Sequence, residues 1–217
     1  MADPLASANL RRWIVACAIG ELLGIACAAL WWVAIDRIDP EPVALGARLA
    51  MLALKSLSGL VEGWLLGTLQ ARALAHFYPR LSRSAWVGAT VSLALFGWAV
   101  GSSFSVFAAG PASAAPAADP GMLVTLGMAA AFGLGVGALF GAVQALVLRR
   151  AARRASWWIV FNALGWGAAL PAIYLFAGID LGIGPAGAVL NGLAGGIIAG
   201  LVLGAITGLA FRHMPAR

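Results

Sequence analysis

The chain has 217 residues, 62% of them hydrophobic and only 10% charged, with a mean hydropathy of +0.94. Water-soluble domains carry about 25% charged residues, so an ordinary soluble domain is excluded. The net charge of +6 does not point to nucleic acid, because the cations fall in short clusters beside apolar runs, the pattern of membrane topology.

Six such runs follow one another: 13–35, 43–70, 85–108, 121–148, 156–178 and 186–211. Each is long enough to cross a hydrocarbon core of about 30 Å as a helix. The alternation of apolar and polar residues that marks membrane β-barrels is absent. The expected fold is an all-α membrane protein, one membrane domain over residues 1–217 with six transmembrane helices.

Run one follows Arg11 and Arg12 and contains Cys17, Cys27 and Glu21. The two cysteines do not share a helix face and belong to no metal-ligand cluster. The stretch "IVAC" loosely matches a lipoprotein box, but only four residues separate Arg12 from Cys17. This is too short for a signal peptide, and the run reads as an uncleaved first helix.

Run two carries Arg48, Lys55 and Glu62 at seven-residue intervals on one helix face. Counting 1.5 Å per residue inward from Arg12 and Arg72 puts Glu21 and Glu62 at a common depth of about 14–15 Å. Charges at mid-helix cost at least about 2.5–3.5 kcal/mol on insertion scales, so such a stripe must face protein or a water-filled cavity. Two readings stay open. The carboxylates share a proton or hold a cation, as suits a proton-coupled transporter, or the cluster Glu21, Lys55, Glu62 and Arg48 is a neutralised structural network.

Run two ends "GWLLGTLQARALAH", run four "GALFGAVQALVLRR" and run six "GLVLGAITGLAFRH". Their glycines form three strips at four-residue spacing: Gly59, Gly63 and Gly67; Gly133, Gly137 and Gly141; Gly196, Gly200 and Gly204. Residues at i and i+4 share a face, and small residues there let backbones approach closely in lipid. The even spans are therefore expected to meet at the centre of the bundle. Three residues past each strip come Gln70, Gln144 and Thr207, placed to hydrogen-bond between helices. The odd runs match more weakly, starting at Trp13, Trp86 and Trp158 with Cys17, Thr90 and Asn162 four residues on. Asn162, about 12 Å deep by the same count, is in range of the glutamates or of a neighbouring helix.

The simplest organisation is three pseudo-repeated helical hairpins, 11–76, 84–150 and 156–213. Positions equivalent to Glu62 are Val136 and Ala199, and Trp166 stands where Glu21 would recur. A pore of three equal hairpins would repeat its charges, and this chain does not.

Arg72, Arg80 and Arg83, then Arg149, Arg150, Arg153 and Arg154, and finally Arg212 and Arg217 lie on one side. Asp36, Asp39, Glu41, Asp119 and Asp180 lie on the other, with Arg37 and Arg48 as the cations there. The positive-inside rule makes both termini cytoplasmic, in a bacterial inner membrane, with the arginine clusters against anionic lipid. Trp13, Trp86, Trp157 and Trp158 mark one interface and Trp31 and Trp32 the other. Trp64, Trp98 and Trp166 lie deeper and either fill space beside glycine or line a pocket for a flat apolar ligand such as a quinone or pigment. His76 and His213 read as interfacial, Pro171 as a kink in run five, and the stretch 108–121 as a linker.

The run "GALFGAVQALVLRR" followed by "ASWWIVFNALGW", residues 137–166, resembles repeats of uncharacterised bacterial multi-pass membrane proteins. Those repeats carry G-x-x-x-G-x-x-Q-x-x-x-L-R-R and W-x-x-x-N-x-x-G-W segments. The likeness implies architecture and no activity.

No metalloprotease helix, nucleophile elbow or phosphate loop occurs, and Ser102, Ser103 and Ser105 lack a basic partner motif. The sequence thus predicts no enzyme, no catalytic residue, no metal site and no cofactor. The leading functional expectation is a non-catalytic accessory or assembly subunit, packed against the lipid bilayer and other membrane protein subunits. The alternatives are a small-solute or proton-coupled transporter or channel using Glu21, Glu62 and Lys55, and a binder of a flat apolar ligand.

Overall fold

The computed structural model of the protein describes residues 4–38, 43–108 and 121–217. Asp39, Glu41, Asp119 and nearly all of the Ala/Pro-rich stretch lie outside them. Among the described residues the regular structure is helical: α1 (Pro4–Ile35), α2 (Leu45–Ser56), α3 (Ser58–Leu74), α4 (Arg83–Ala108), α5 (Met122–Leu148), α6 (Trp157–Ala177) and α7 (Pro185–Gly208), then a 3-10 turn (Leu209–Arg212). Six helices are long and apolar enough to cross a membrane, with α2 and α3 together forming the second. In hydrocarbon every backbone polar group must be satisfied inside its own segment, which a continuous helix does.

One expectation about individual helices changes. The second span is broken at Leu57, whose N–H is shared between Ala53 O at 3.3 Å and Leu54 O at 3.2 Å, while Leu60 N–H reaches back to Leu57 O at 3.0 Å. Such i to i+3 bonding tightens a helix locally. By contrast, α6 runs through Pro171 without interruption.

Going round the bundle, α1 packs on α3, α3 on α4, α4 on α5, α5 on α6, α6 on α7, and α7 returns to α1. Among the described residues no helix backbone comes close to that of a non-neighbouring span, so the six spans form a ring around an interior. The backbones of the even spans α3, α5 and α7 do not approach one another, although their side chains share buried apolar layers, so the glycine strips do not meet at the centre as expected.

Their glycine strips are nevertheless used for close packing, each on the next odd span. A Cβ at Gly59 would lie 2.5 Å from Leu95 N, and one at Gly63 2.6 Å from Val91 Cα, both on α4. Gly133, Gly137 and Gly141 abut Trp166, Asn162 and Ile159 of α6 in the same way. On α7, Gly196 and Gly200 would meet Glu21 O at 2.6 Å and Cys17 O at 2.5 Å on α1. The physical reason is ring geometry: every even span is flanked by two odd ones, so the nearest backbone its smooth face can meet belongs to an odd helix.

The arginine-rich end of the ring is filled. Trp13, Trp86 and Trp158 are fully or almost fully buried there and converge edge to face, Trp158 lying 5.5 Å from Trp13 and 5.7 Å from Trp86 between ring centroids. Phe211 stacks on Phe77 at 4.1 Å and on Trp158 at 5.9 Å. The C-terminal residues close over this cluster: Arg153 N–H donates to Pro215 O at 2.8 Å, Arg217 N–H to Ala151 O at 2.9 Å, and the Tyr78 hydroxyl to Met214 O at 2.8 Å.

A second apolar layer, with Leu66, Leu93, Ala199 and Leu203, lies next along the axis. Beyond it the interior opens.

Candidate functional site

The open part of the ring is a cavity of about 440 Å³, within the usual size of small-molecule sites, about 300–1,000 Å³. It extends from Glu62, Phe140 and Trp166 near mid-span to Asp36, Ala177 and Ala188 at the end opposite the arginines. All six spans contribute to its wall. Small residues make the room: Ala28 and Ala29 on α1, Gly97 and Gly101 on α4, and Gly192 on α7. Large aromatics shape it, chiefly Trp32, Trp98, Trp166, Phe140 and Tyr174.

Glu62 is the carboxyl of this lumen. It is 6% exposed, and the Trp98 indole N–H donates a short hydrogen bond to its Oε2. Trp98 stands edge to face with Trp32, centroids 5.3 Å apart, and the Trp32 indole donates to Ser58 Oγ at 3.1 Å. Ser102, one turn beyond Trp98, also lines the lumen, and its buried hydroxyl has no hydrogen-bond partner among the described residues. Asn191 lines it as well, with Nδ2 donating to Ile179 O at 2.7 Å.

Glu21 is fully buried and neither carboxyl oxygen has a hydrogen-bond partner among the described residues. Its depth differs from the sequence count. Gly20 faces Leu66 and Gly24 faces Glu62 across the antiparallel α1–α3 seam, so Glu62 lies about one helical turn farther from the arginines than Glu21. Counting from the flanking arginines missed this because it assumed that both helices leave the interface at the same level.

The proposed polar stripe does not form one cluster. Lys55 pairs with Asp36 at 2.9 Å and sits 4.3 Å over the Trp32 ring. Asp36 follows directly on α1 at the level of Lys55, whereas Glu62 is seven residues, about 10 Å, away along the span. Arg48 lies half-buried on α2 and is not among the lumen-lining residues. Asn162 does not reach the glutamates: its Nδ2 donates to Trp158 O of its own helix at 3.2 Å, and its backbone lies under Gly137.

At the filled end the three polar residues behind the glycine strips meet the tryptophans that begin the odd helices. Trp13 donates to Thr207 Oγ1 at 3.0 Å, and Trp158 donates to Gln144 Oε1 at 2.9 Å. Gln144 in turn donates to Thr90 Oγ1 at 3.0 Å. The third junction is incomplete. Gln70 Nε2 reaches only Cys17 Sγ, at 3.5 Å, and both Gln70 Oε1 and Trp86 Nε1 lack partners among the described residues. These groups sit inside the closed layer and tie helices together.

No protein-family model, curated protein or solved structure matches the chain. Function therefore rests on the chemistry of the lumen itself.

The lumen-lining residues absent from the sequence reading are Asp36 as the partner of Lys55, Ser102 as a polar wall residue, and Asn191. Trp98 and Trp166 had been read as deep, and both line the lumen. Trp64, read with them, is instead 58% exposed on the outside of the ring. The available signal was Trp98 between Gly97 and Gly101, a bulky side chain flanked by positions that leave space at i−1 and i+3.

Proposed function

We propose that the chain is a multi-pass membrane protein whose ring of helices holds a small, largely apolar ligand in the lumen beside Glu62. The observation that carries this reading is the cavity of about 440 Å³, walled by aromatic and small residues, closed at one end, with one carboxyl at its inner limit. Ligand sites are typically apolar clefts with a few placed polar groups, and this lumen has that composition.

The reading belongs with the flat-ligand and transport alternatives rather than with the assembly subunit. An assembly subunit needs surfaces that receive partners, and the glycine strips, the close-packing faces of this chain, are covered by its own α4, α6 and α1. Binding from one end, with the other sealed, is the arrangement of a receptor or of one state of a carrier. No catalytic role is proposed.

The finer topology belongs to the same proposal. The arginine-rich end faces the cytoplasm of a bacterial cell, both termini with it, by the positive-inside rule. The recurrence of strip, polar residue and tryptophan supports descent from three hairpins, in keeping with the resemblance noted for residues 137–166.

Gly101 supplies the test. It lines the lumen, and a Cβ built there meets nothing within 4 Å. Gly101→Phe should place a ring in the lumen and reduce its volume without disturbing the helices. Bromobenzene, a small apolar quencher, is expected to quench wild-type tryptophan fluorescence saturably through Trp98 and Trp166. In Gly101→Phe the saturable component should weaken while the helical circular dichroism is unchanged. Equal quenching in both proteins would overturn the proposal.

A further inference from the structure

Resting on the lumen reading above, we infer that the ligand is a lipophilic organic monocation, an amine or quaternary ammonium with an aromatic body, whose charge lies against Glu62. Four observations lead there.

The first is charge. Glu62 faces the lumen, and among the described residues its one hydrogen-bond partner is the Trp98 indole, on one oxygen. A carboxylate has about four acceptor sites, so most of its capacity remains open to a bound group. No Lys, Arg or His is among the lumen-lining residues. The cation nearest along the span, Lys55, is committed to Asp36. A second carboxyl, Glu21, lies one turn deeper with both oxygens unpartnered among the described residues. An anionic ligand would meet only like charge, and a wholly apolar one would leave Glu62 desolvated with the Trp98 N–H as its sole compensation among the described residues.

The second is the wall. Trp32, Trp98, Trp166, Phe140 and Tyr174 present aromatic rings, whose faces attract cations within about 6 Å of the centroid. The contact is already realised at the mouth, where Lys55 Nζ sits over Trp32. Trp32 touches Trp98, and Trp98 touches Glu62, so cation-accepting groups run unbroken from Asp36 to the inner carboxyl.

The third is the donor set, which does not suit a metal ion. Hard cations need six or more oxygen ligands, and the inner lumen offers Glu62 and Ser102. Among the described residues no group of three or more His, Cys, Asp or Glu side chains comes together. The fourth is size: a cavity of about 440 Å³ has room for an organic ion with its apolar body.

The test is competition against bromobenzene in the purified full chain. Benzyltrimethylammonium is permanently charged, and 2,2-dimethylpropylbenzene is its neutral isostere, with carbon in place of nitrogen. The cation should displace bromobenzene from the wild-type lumen at concentrations lower than the isostere by about tenfold or more, as expected for a cation held against a carboxylate and aromatic faces away from water. Glu62→Gln should remove that advantage and leave displacement by the isostere unchanged. Displacement by both compounds at the same concentration in wild type overturns the cation inference while leaving the lumen reading intact. Retained cation preference in folded Glu62→Gln does the same. Absence of saturable bromobenzene quenching in wild type overturns the lumen reading first. The wild-type comparison needs no variant, so a misfolded Glu62→Gln does not remove the test.

Discussion

Gly200→Ala is the sharpest probe of how the ring is held closed. The added Cβ would lie 2.5 Å from Cys17 O and 2.6 Å from Ala18 Cα. Both are backbone atoms of α1 and cannot swing aside. To reach the 3.4 Å of ordinary contact the two helices must part along a seam that also includes Gly196 and Gly204. Overpacking of this kind costs about 1–3 kcal/mol. Alanine returns about 0.5–1 kcal/mol through helix propensity and a less flexible unfolded chain. The net expectation is a loss of about 0–2.5 kcal/mol, centred at about 1 kcal/mol, the packing cost exceeding the propensity gain. Gly135 and Gly127 are matched controls, because a Cβ at either meets nothing within 4 Å. Their alanine variants should be neutral or slightly stabilised. Equilibrium unfolding in mixed micelles titrated with dodecyl sulfate reads both effects on one scale. If Gly200→Ala unfolds at the same midpoint as Gly135→Ala, close backbone approach is not what holds α7 to α1, and the reasoning fails.

The tryptophan junctions make an internal comparison. Trp158→Phe strands Gln144 Oε1, a buried acceptor, and should destabilise by about 1–3 kcal/mol from the lost partner alone, whereas Trp86→Phe removes an N–H that has no partner among the described residues and should cost clearly less. Equal losses in the same unfolding assay would show that ring packing, not hydrogen bonding, dominates both sites. At the sealed end, burial pushes the Tyr78 hydroxyl above its ordinary value. A group favoured neutral in the folded state contributes stability that is complete below its unfolded value, about pH 10, and is withdrawn as pH climbs toward its raised folded value. Wild type should therefore lose stability more steeply above about pH 10 than Tyr78→Phe does. Parallel alkaline profiles would mean that the hydroxyl on Met214 O is not part of the closure.

The six spans were legible in the sequence because lipid leaves a helix little choice: a run such as 121–148 has no charge and only Thr125 and Gln144 as polar side chains, and α5 covers nearly all of it. The tie between Gln144 and its neighbours was legible too, since a lone amide among small residues needs a partner. The partners of the glycine strips were not. Spacing of four residues specifies a smooth face and close approach, but the helix that arrives there is set by the order of spans around the ring. Lys55 illustrates a second limit. Seven-residue spacing pointed to Glu62, while the nearer carboxylate, Asp36, belongs to another segment and had been assigned to a loop. The lumen left the faintest trace, because each span gives it only a few side chains and no periodic signal accumulates in any one of them.

The seam between α7 and α1 also bears on how the chain is made. Trp13 and Thr207, joined across it, are 194 positions apart. In synthesis from the N-terminus, α1 leaves the ribosome before the other helices of the ring, and its mate α7 is the last of them to do so. Until then the face of α1 that will receive bare backbone stays uncovered in the bilayer. Assembly cannot finish hairpin by hairpin; it ends in a single late step, when the final helix slots home and the circle shuts.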